Sequence, residues 1–234
     1  MKLLVKPTTL FFDVGTWMGP TALYAAALGA ETYAFEPDPV AYRRFIRNLS
    51  LNPSLRPLIH AHNAACGIES GTIMLYADAL GNSETSILDT RNHALDDAAK
   101  LIQIEADVLN LNELIQNCYV RSREVFIKID IEGAEFALVP RMAETFRSLN
   151  RAVINISTHP FNIKTADLSE QRSRRIEAKE SILDAYSGLY WFVWENGRLF
   201  SVEEHVVRTK ALAHPDEPDV FTVATYDLHS SPAN

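Results

Sequence analysis

Cysteine, excess positive charge and long apolar runs are all scarce in this chain, and each shortage excludes a class of protein. Cys66 and Cys118 are the only cysteines among 234 residues, which excludes a disulfide framework and favours the reducing cytoplasm. Lysine and arginine number 22 against 30 aspartates and glutamates, and the net charge of −8 argues against a nucleic-acid partner. No apolar run approaches the roughly 18 residues of a membrane span, and Lys6 and Pro7 interrupt the apolar start, so neither a membrane segment nor a signal peptide is predicted.

Apolar side chains are plentiful, at 47% of the sequence, and they alternate between two kinds of pattern over the first 160 residues. Short apolar runs predict strands at 10–14, 31–36, 58–61, 72–76, 101–105, 125–130 and 152–156. Apolar residues at helical spacing predict helices at 21–28, 40–49 and 134–149, the last broken or restarted at Pro140. Alternating strands and helices are typical of an α/β fold with a doubly wound, mostly parallel sheet.

The last third of the chain has a different pattern. A charged helix is predicted at 169–186, and two strands at 190–195 and 198–202 are joined by Asn196-Gly197, a pair that suits a type I′ hairpin turn. A final strand is predicted at 220–226. We expect one domain over residues 1–234, with a candidate helical insertion at about 160–188.

The turn after the first strand, Asp13-Val14-Gly15-Thr16-Trp17-Met18-Gly19, is the first candidate binding segment, because ligands of such sheets lie at the carboxyl ends of the strands. Gly15 and Gly19 permit a tight turn and a close approach of backbone to ligand. A dinucleotide fingerprint would need glycine where Asp13 stands. A carboxylate there would repel a pyrophosphate and suit an ammonium group.

Glu36 ends the second predicted strand, 21 residues after Gly15, where an acidic side chain can accept the two hydroxyl hydrogens of a ribose. A nucleoside with a cationic tail and no phosphate describes S-adenosylmethionine. The alternatives are that Asp13 caps the turn and that Glu36 is a surface charge before Pro37.

Four segments together resemble the FkbM-type S-adenosylmethionine-dependent methyltransferases: DVGTWMG, then FEPDP (35–39), NAACG (63–67) and IKIDIEGAEF (127–136). The resemblance covers roughly residues 10 to 160. It implies a class I, Rossmann-like fold, in which a doubly wound and mostly parallel sheet of seven strands ends in an antiparallel hairpin. It also implies methyl transfer to a hydroxyl of a small-molecule partner, often a sugar or a secondary metabolite.

By this resemblance, the cofactor-binding residues are those of the glycine loop and of two later segments. They are Asp13, Gly15, Thr16, Gly19, Glu36, Pro37, Asn63 and Ala64. Trp17 and Ser157 depart from the family's pattern, which commonly has a small Asn and often a Glu at these two places.

Asp130, Glu132 and His159 are the candidate catalytic residues, because they follow the fourth and fifth main strands, where an acceptor would meet the methyl group. An alcohol is almost fully protonated at neutral pH, so a general base would help. Asp130 equally suits a structural role in the Glu132-Gly133 turn. No metal site is predicted, although the same three residues are an alternative set of ligands for a divalent cation.

The sequence is also compatible with two other functions, a non-catalytic S-adenosylmethionine-binding module and a nucleotide-dependent oxidoreductase. The polar segment 81–86 is interpreted either as a loop over the cofactor or as a plain surface loop. No motif identifies the acceptor or the oligomeric state.

Overall fold

A largely parallel sheet forms the centre of the molecule. The computed structural model describes residues 2–77, 79–81, 102–165 and 167–229. Its strands are β1 Thr9–Val14, β2 Glu31–Phe35, β3 Ile59–His62, β4 Ala65–Gly67, β5 Gly71–Ala77, β6 Ile102–Asn110, β7 Glu124–Ile129, β8 Ala152–Ser157, β9 Tyr190–Glu195, β10 Arg198–Val202 and β11 Val220–Ala224. Its helices are α1 Pro20–Ala27, α2 Pro39–Ser50, α3 Leu111–Cys118, α4 Glu135–Ser148, α5 Leu168–Ala185 and α6 Glu204–Ala213, with 3₁₀ turns at Pro53–Leu58 and Pro160–Asn162.

The main sheet has the strand order β10-β9-β11-β8-β7-β1-β2-β3. Five neighbouring strands of this sheet, β3, β2, β1, β7 and β8, are parallel to one another. Strand β11 lies between β8 and β9 and is antiparallel to both. This confirms the α/β class and the antiparallel end. The expected number of seven strands is wrong by one, because the hairpin turn at Asn196-Gly197, with φ of 49° and 74°, adds β10 as an eighth strand at the edge.

A second, three-stranded sheet, β4-β6-β5, lies beside the main sheet. β5 and β6 were predicted, whereas the three-residue β4 and the helices α3 and α6 were not. β4 is too short to carry a periodic pattern.

Core side chains cover both faces of the main sheet, as a doubly wound fold requires. Along β1, Leu10, Phe12 and Val14 belong to one buried cluster, and Phe11 belongs to another. α1 ends before Gly29, whose φ of 92° suits the residue after a helix.

The expected break of α4 at Pro140 is wrong, because the helix is continuous from Glu135 to Ser148. Leu138 and Val139 before the proline and Met142 after it pack into the same core cluster, which holds both halves in line. None of the described helices combines the length and apolar content needed to cross a bilayer.

Candidate functional site

A cleft opens at the carboxyl ends of β1, β2 and β7. It is lined by Val14, Gly15, Trp17, Phe35, Glu36, Pro37, Ala64, Ala65, Cys66, Leu75, Asp130, Ile131, Glu132 and Ala134.

The charge of this lining is negative. Glu36 lies at one end of the cleft, Asp130 and Glu132 lie at the other, and among the described lining residues none is lysine or arginine. Such a surface disfavours a phosphate group and suits a phosphate-free nucleoside that carries a positive charge. S-adenosylmethionine fits this description and a dinucleotide does not.

The glycines of the loop after β1 are needed for contacts within the protein. A Cβ on Gly15, at φ 81°, would lie 1.9 Å from the Asp130 carbonyl oxygen, and one on Gly19, at φ 85°, would lie 2.1 Å from the Phe45 ring. The predicted close approach of backbone is therefore to β7 and α2. Gly15 also lines the cleft, whereas Gly19 and the buried Thr16 are not among its lining residues.

Asp13 is fully buried and does not line the cleft. Its carboxylate accepts a hydrogen bond from the Thr16 hydroxyl at 2.7 Å and lies 3.3 Å from the ammonium of Lys128. Asp13 and Lys128 are neighbours in the β1–β7 register, so the sheet itself brings them together. The structure thus gives Asp13 an ammonium partner from within the protein, where the sequence suggested a ligand.

Glu36 forms the wall of the cleft next to β2 and is only 7% exposed. The Trp17 amide donates to its Oε2 and the Asp38 amide donates to its Oε1, both at 2.8 Å. Burial raises the pKa of Glu36 to about 7, against the lowering effect of these two amides. A carboxylate has about four lone-pair sites, so two donors leave capacity for two ribose hydroxyls.

Of three further residues predicted to bind the cofactor, Pro37 and Ala64 line the cleft and Asn63 does not. The Asn63 side-chain amide donates to the backbone carbonyls of Glu36 at 2.8 Å and Pro37 at 3.2 Å. Asn63 therefore holds the backbone of Glu36 and Pro37 in place.

Sequence reasoning missed Trp17 as a residue of the site. It lines the cleft with a φ of 51°, a left-handed conformation that is unfavourable for a bulky side chain. One signal in the sequence could have identified it: the family commonly has Asn at this place, and Asn tolerates a left-handed backbone better than Trp does. Ser157, the other departure, ends β8 opposite Val220 and is not a lining residue. Of the predicted loop 81–86, Gly81 is described, and residues 82–86 lie outside the described residues.

Asp130, Glu132 and His159, the predicted catalytic residues, lie close together. Asp130 and Glu132 line the other end of the cleft, whereas His159 is not among its lining residues. His159 Nε2 lies 3.4 Å from Asp130 Oδ1 and 3.6 Å from Glu132 Oε1. On the other side of the ring, Nδ1 is 3.3 Å from Oε1 of Glu135, a fully buried carboxylate that also accepts the His159 amide at 2.6 Å. Glu132 adopts a left-handed φ of 53°, and Asn162 donates to its backbone carbonyl at 2.9 Å.

Charge governs the protonation of this cluster. Burial works to lower the pKa of His159, but its hydrogen bond to Glu135 and the charges of Glu135, Glu132 and Asp130 outweigh burial and raise it. Burial raises the pKa of Glu132, and the charge of His159 opposes that rise. A positively charged imidazole is therefore stabilised here.

Asp130, Glu132 and His159 also offer ligand atoms that lie within 4.8 Å of one another. The protein's own cations already approach these carboxylates, since Lys128 Nζ lies 3.5 Å from Asp130 Oδ2 and His159 lies between Asp130 and Glu132. A hard divalent cation normally requires six or more oxygen ligands. We assign no metal to this cluster.

Comparison with known proteins relates the chain to methyltransferases. The model of the Methyltransferase FkbM domain matches residues 13–178. The chain is 25% identical over 177 residues to methyltransferase sdnD of Sordaria araneosa, covering 65% of this chain and 67% of that protein. It is 30% identical over 146 residues to the ribosomal protein L11 methyltransferase of Lactococcus lactis, covering 62% of this chain and 42% of that protein.

Among solved structures, the fold is similar to that of FkbM methyltransferase from Methylobacillus flagellatus, with a TM-score of 0.51 at 13% identity. The superposition covers 94% of this chain and 44% of that one. The chain thus spans less than half of that structure and of the L11 methyltransferase.

Proposed function

Because this chain belongs to the FkbM family of S-adenosylmethionine-dependent methyltransferases, we propose that it methylates a hydroxyl oxygen of an uncharged small molecule or sugar. The observation that supports an oxygen acceptor is the His159 imidazole, which lies within 3.6 Å of two carboxylates that line the cleft, Asp130 and Glu132. The acidic lining supports an acceptor without phosphate or carboxylate groups, since these would be repelled by Asp130 and Glu132.

We propose that Glu36, Pro37 and Ala64 hold the nucleoside of the methyl donor, with Trp17 as a further wall. When bound, S-adenosylmethionine supplies an electrophilic methyl group on a sulfonium. The carboxylate of Glu36 accepts hydrogen bonds from hydroxyls, and the apolar walls exclude water. Gly15 packs against the Asp130 carbonyl with no room for a side chain.

In this proposal His159 is the general base. With Nδ1–H donating to Glu135, Nε2 is left to accept the proton of the acceptor hydroxyl. The imidazolium that forms is stabilised by Glu135, Asp130 and Glu132, which lie within 3.3 to 3.6 Å of the ring. Alignment of the acceptor is the larger contribution, since it can supply roughly 7–11 kcal/mol. A positioned base typically adds 10²- to 10⁴-fold.

The experiment is transfer of a radiolabelled methyl group to a panel of neutral sugars and phenols, their phosphorylated counterparts, amines and ribosomal protein L11. We expect label on neutral hydroxyl compounds, with its loss in His159→Gln and its retention in the exposed-surface control His205→Ala. Labelling of amines or of protein alone would contradict an oxygen acceptor. Binding of the donor with no labelled product on any acceptor would favour the non-catalytic binding module.

A further inference from the structure

Four residues form a closed ring of hydrogen bonds at the Glu36 end of the cleft. The Trp17 amide donates to Glu36 Oε2 at 2.8 Å, and the Trp17 indole Nε1–H donates to the Gly81 carbonyl at 3.1 Å. The Gly81 amide donates to Asp38 Oδ2 at 2.6 Å, and the Asp38 amide donates back to Glu36 Oε1 at 2.8 Å. We call these four residues the Glu36 ring.

Both oxygens of the Glu36 carboxylate accept hydrogen bonds within the Glu36 ring. Asp38 is itself fixed, because its Oδ1 accepts the Val40 and Ala41 amides at the start of α2. Glu36 can therefore be displaced only by breaking bonds at both of its oxygens. A carboxylate held in this way is oriented before any ligand arrives, which lowers the entropic cost of binding.

Two members of the ring have left-handed backbones, which is unfavourable for Trp17 and natural for a glycine. Trp17 is left-handed at φ 51°, and such strain is kept where the surroundings fix the residue. Gly81 is buried at φ 81°, and a Cβ there would lie 2.7 Å from Arg44 Nη1 and 2.8 Å from a Val40 methyl group. Arg44 Nη1 also donates to the Gly81 carbonyl at 3.0 Å. The Gly81 backbone therefore has three hydrogen-bond partners, which are Trp17, Arg44 and Asp38.

We propose that Trp17 and Gly81 are positioning residues of the donor site, which act by orienting the Glu36 carboxylate toward the ribose. This inference rests on the proposed placement of the donor at Glu36. The indole–Gly81 bond lies on the far side of the ring from Glu36, so cutting it removes no group that would accept a ribose hydroxyl. In this proposal its loss acts through the orientation of the carboxylate, and the Glu36→Ala background separates that effect from a direct contact of the indole with the ligand.

The test measures the affinity of S-adenosylhomocysteine by calorimetry for wild type, Trp17→Phe, Glu36→Ala and the double variant. Trp17→Phe keeps an aromatic ring and the backbone amide and removes the indole N–H. We expect its dissociation constant to rise by about 3- to 10-fold, the effect of one neutral hydrogen bond. In the Glu36→Ala background the same substitution should have almost no further effect, because the group on which it acts is gone. Trp194→Phe, on β9, is the matched control and should bind as wild type.

Arg44→Met provides a second variant, because it removes the other donor to the Gly81 carbonyl and leaves Trp17 intact. Wild-type affinity in both Trp17→Phe and Arg44→Met would overturn the proposal. Equal losses from Trp17→Phe with and without Glu36 would also overturn it, since the indole would then act on the ligand directly. The experiment distinguishes these outcomes from an error in the proposed donor site. If the donor does not bind at Glu36, Glu36→Ala itself should bind S-adenosylhomocysteine as wild type does.

Discussion

The two ends of the cleft hold their carboxylates by different means. At the Glu36 end, the Trp17 and Asp38 backbone amides donate to the two oxygens of one buried carboxylate. At the His159 end, three carboxylates surround one imidazole, and the ammonium of Lys128 lies beside a fourth, Asp13. Backbone amides suit the fixed geometry that a nucleoside requires, whereas a cluster of charges suits the gain and loss of a proton.

Lys128 lies beside the His159 end of the cleft, and its removal should have the largest effect. Lys128 Nζ lies 3.3 Å from Asp13 and 3.5 Å from Asp130 and donates to the Gly15 carbonyl at 2.8 Å. Lys128→Met would leave the buried Asp13 carboxylate without its cation, so we expect the free energy of unfolding to fall by about 3–5 kcal/mol. Chemical denaturation measures this loss, with the exposed Lys164→Met as control. An unchanged midpoint would mean that the buried Asp13 carboxylate does not depend on the Lys128 ammonium.

The next largest effect is expected at the His159 end alone. His159→Ala should lower the turnover number by about 10²-fold or more and leave donor affinity nearly intact. Because the pKa of His159 is raised, the wild-type rate should fall as the pH drops through a value above 6.5, where the imidazole becomes protonated. Glu135→Gln removes the main raising influence and should move this acidic limb to lower pH. Near-wild-type turnover in His159→Ala would point to alignment without a base or to Glu132.

A smaller effect, confined to the opposite end, is expected for Glu36. Glu36→Ala should weaken binding of S-adenosylhomocysteine by about 10- to 100-fold, the equivalent of roughly 1.5–3 kcal/mol for a hydrogen bond to a charged group. Since the carboxylate form is the better acceptor and its pKa is about 7, wild-type affinity should strengthen as the pH rises through 7. This dependence should be absent in the variant. A pH-independent wild-type affinity would separate Glu36 from the ligand.

The same substitution should also affect stability, because the Glu36 side chain is buried. Glu36→Ala leaves the Trp17 and Asp38 amides without this acceptor, so unfolding should become easier by about 1–3 kcal/mol. Affinities of this variant therefore need to be measured well below its melting temperature.

The sequence predicted most of the strands and helices in their order, and that Glu36, Asp130 and His159 follow strand ends, because strand ends carry local signals. It did not predict that Asp13 faces Lys128, since that pairing depends on which strands become neighbours. The sequence did not predict the Glu36 ring either, because the hydrogen bond from the Trp17 indole joins residues that are 64 apart in the chain. Contacts between distant segments leave no periodic pattern, and both ends of the cleft are completed by such contacts.

A crystal structure of the S-adenosylhomocysteine complex tests the two-ended cleft most directly. We expect the ribose hydroxyls within hydrogen-bond distance of the Glu36 carboxylate, the Glu36 ring intact, and the sulfur at the end that holds Asp130, Glu132 and His159. A ligand bound with its ribose away from Glu36, or with its sulfur at the Glu36 end, would contradict the division of the cleft into a donor end and an acceptor end.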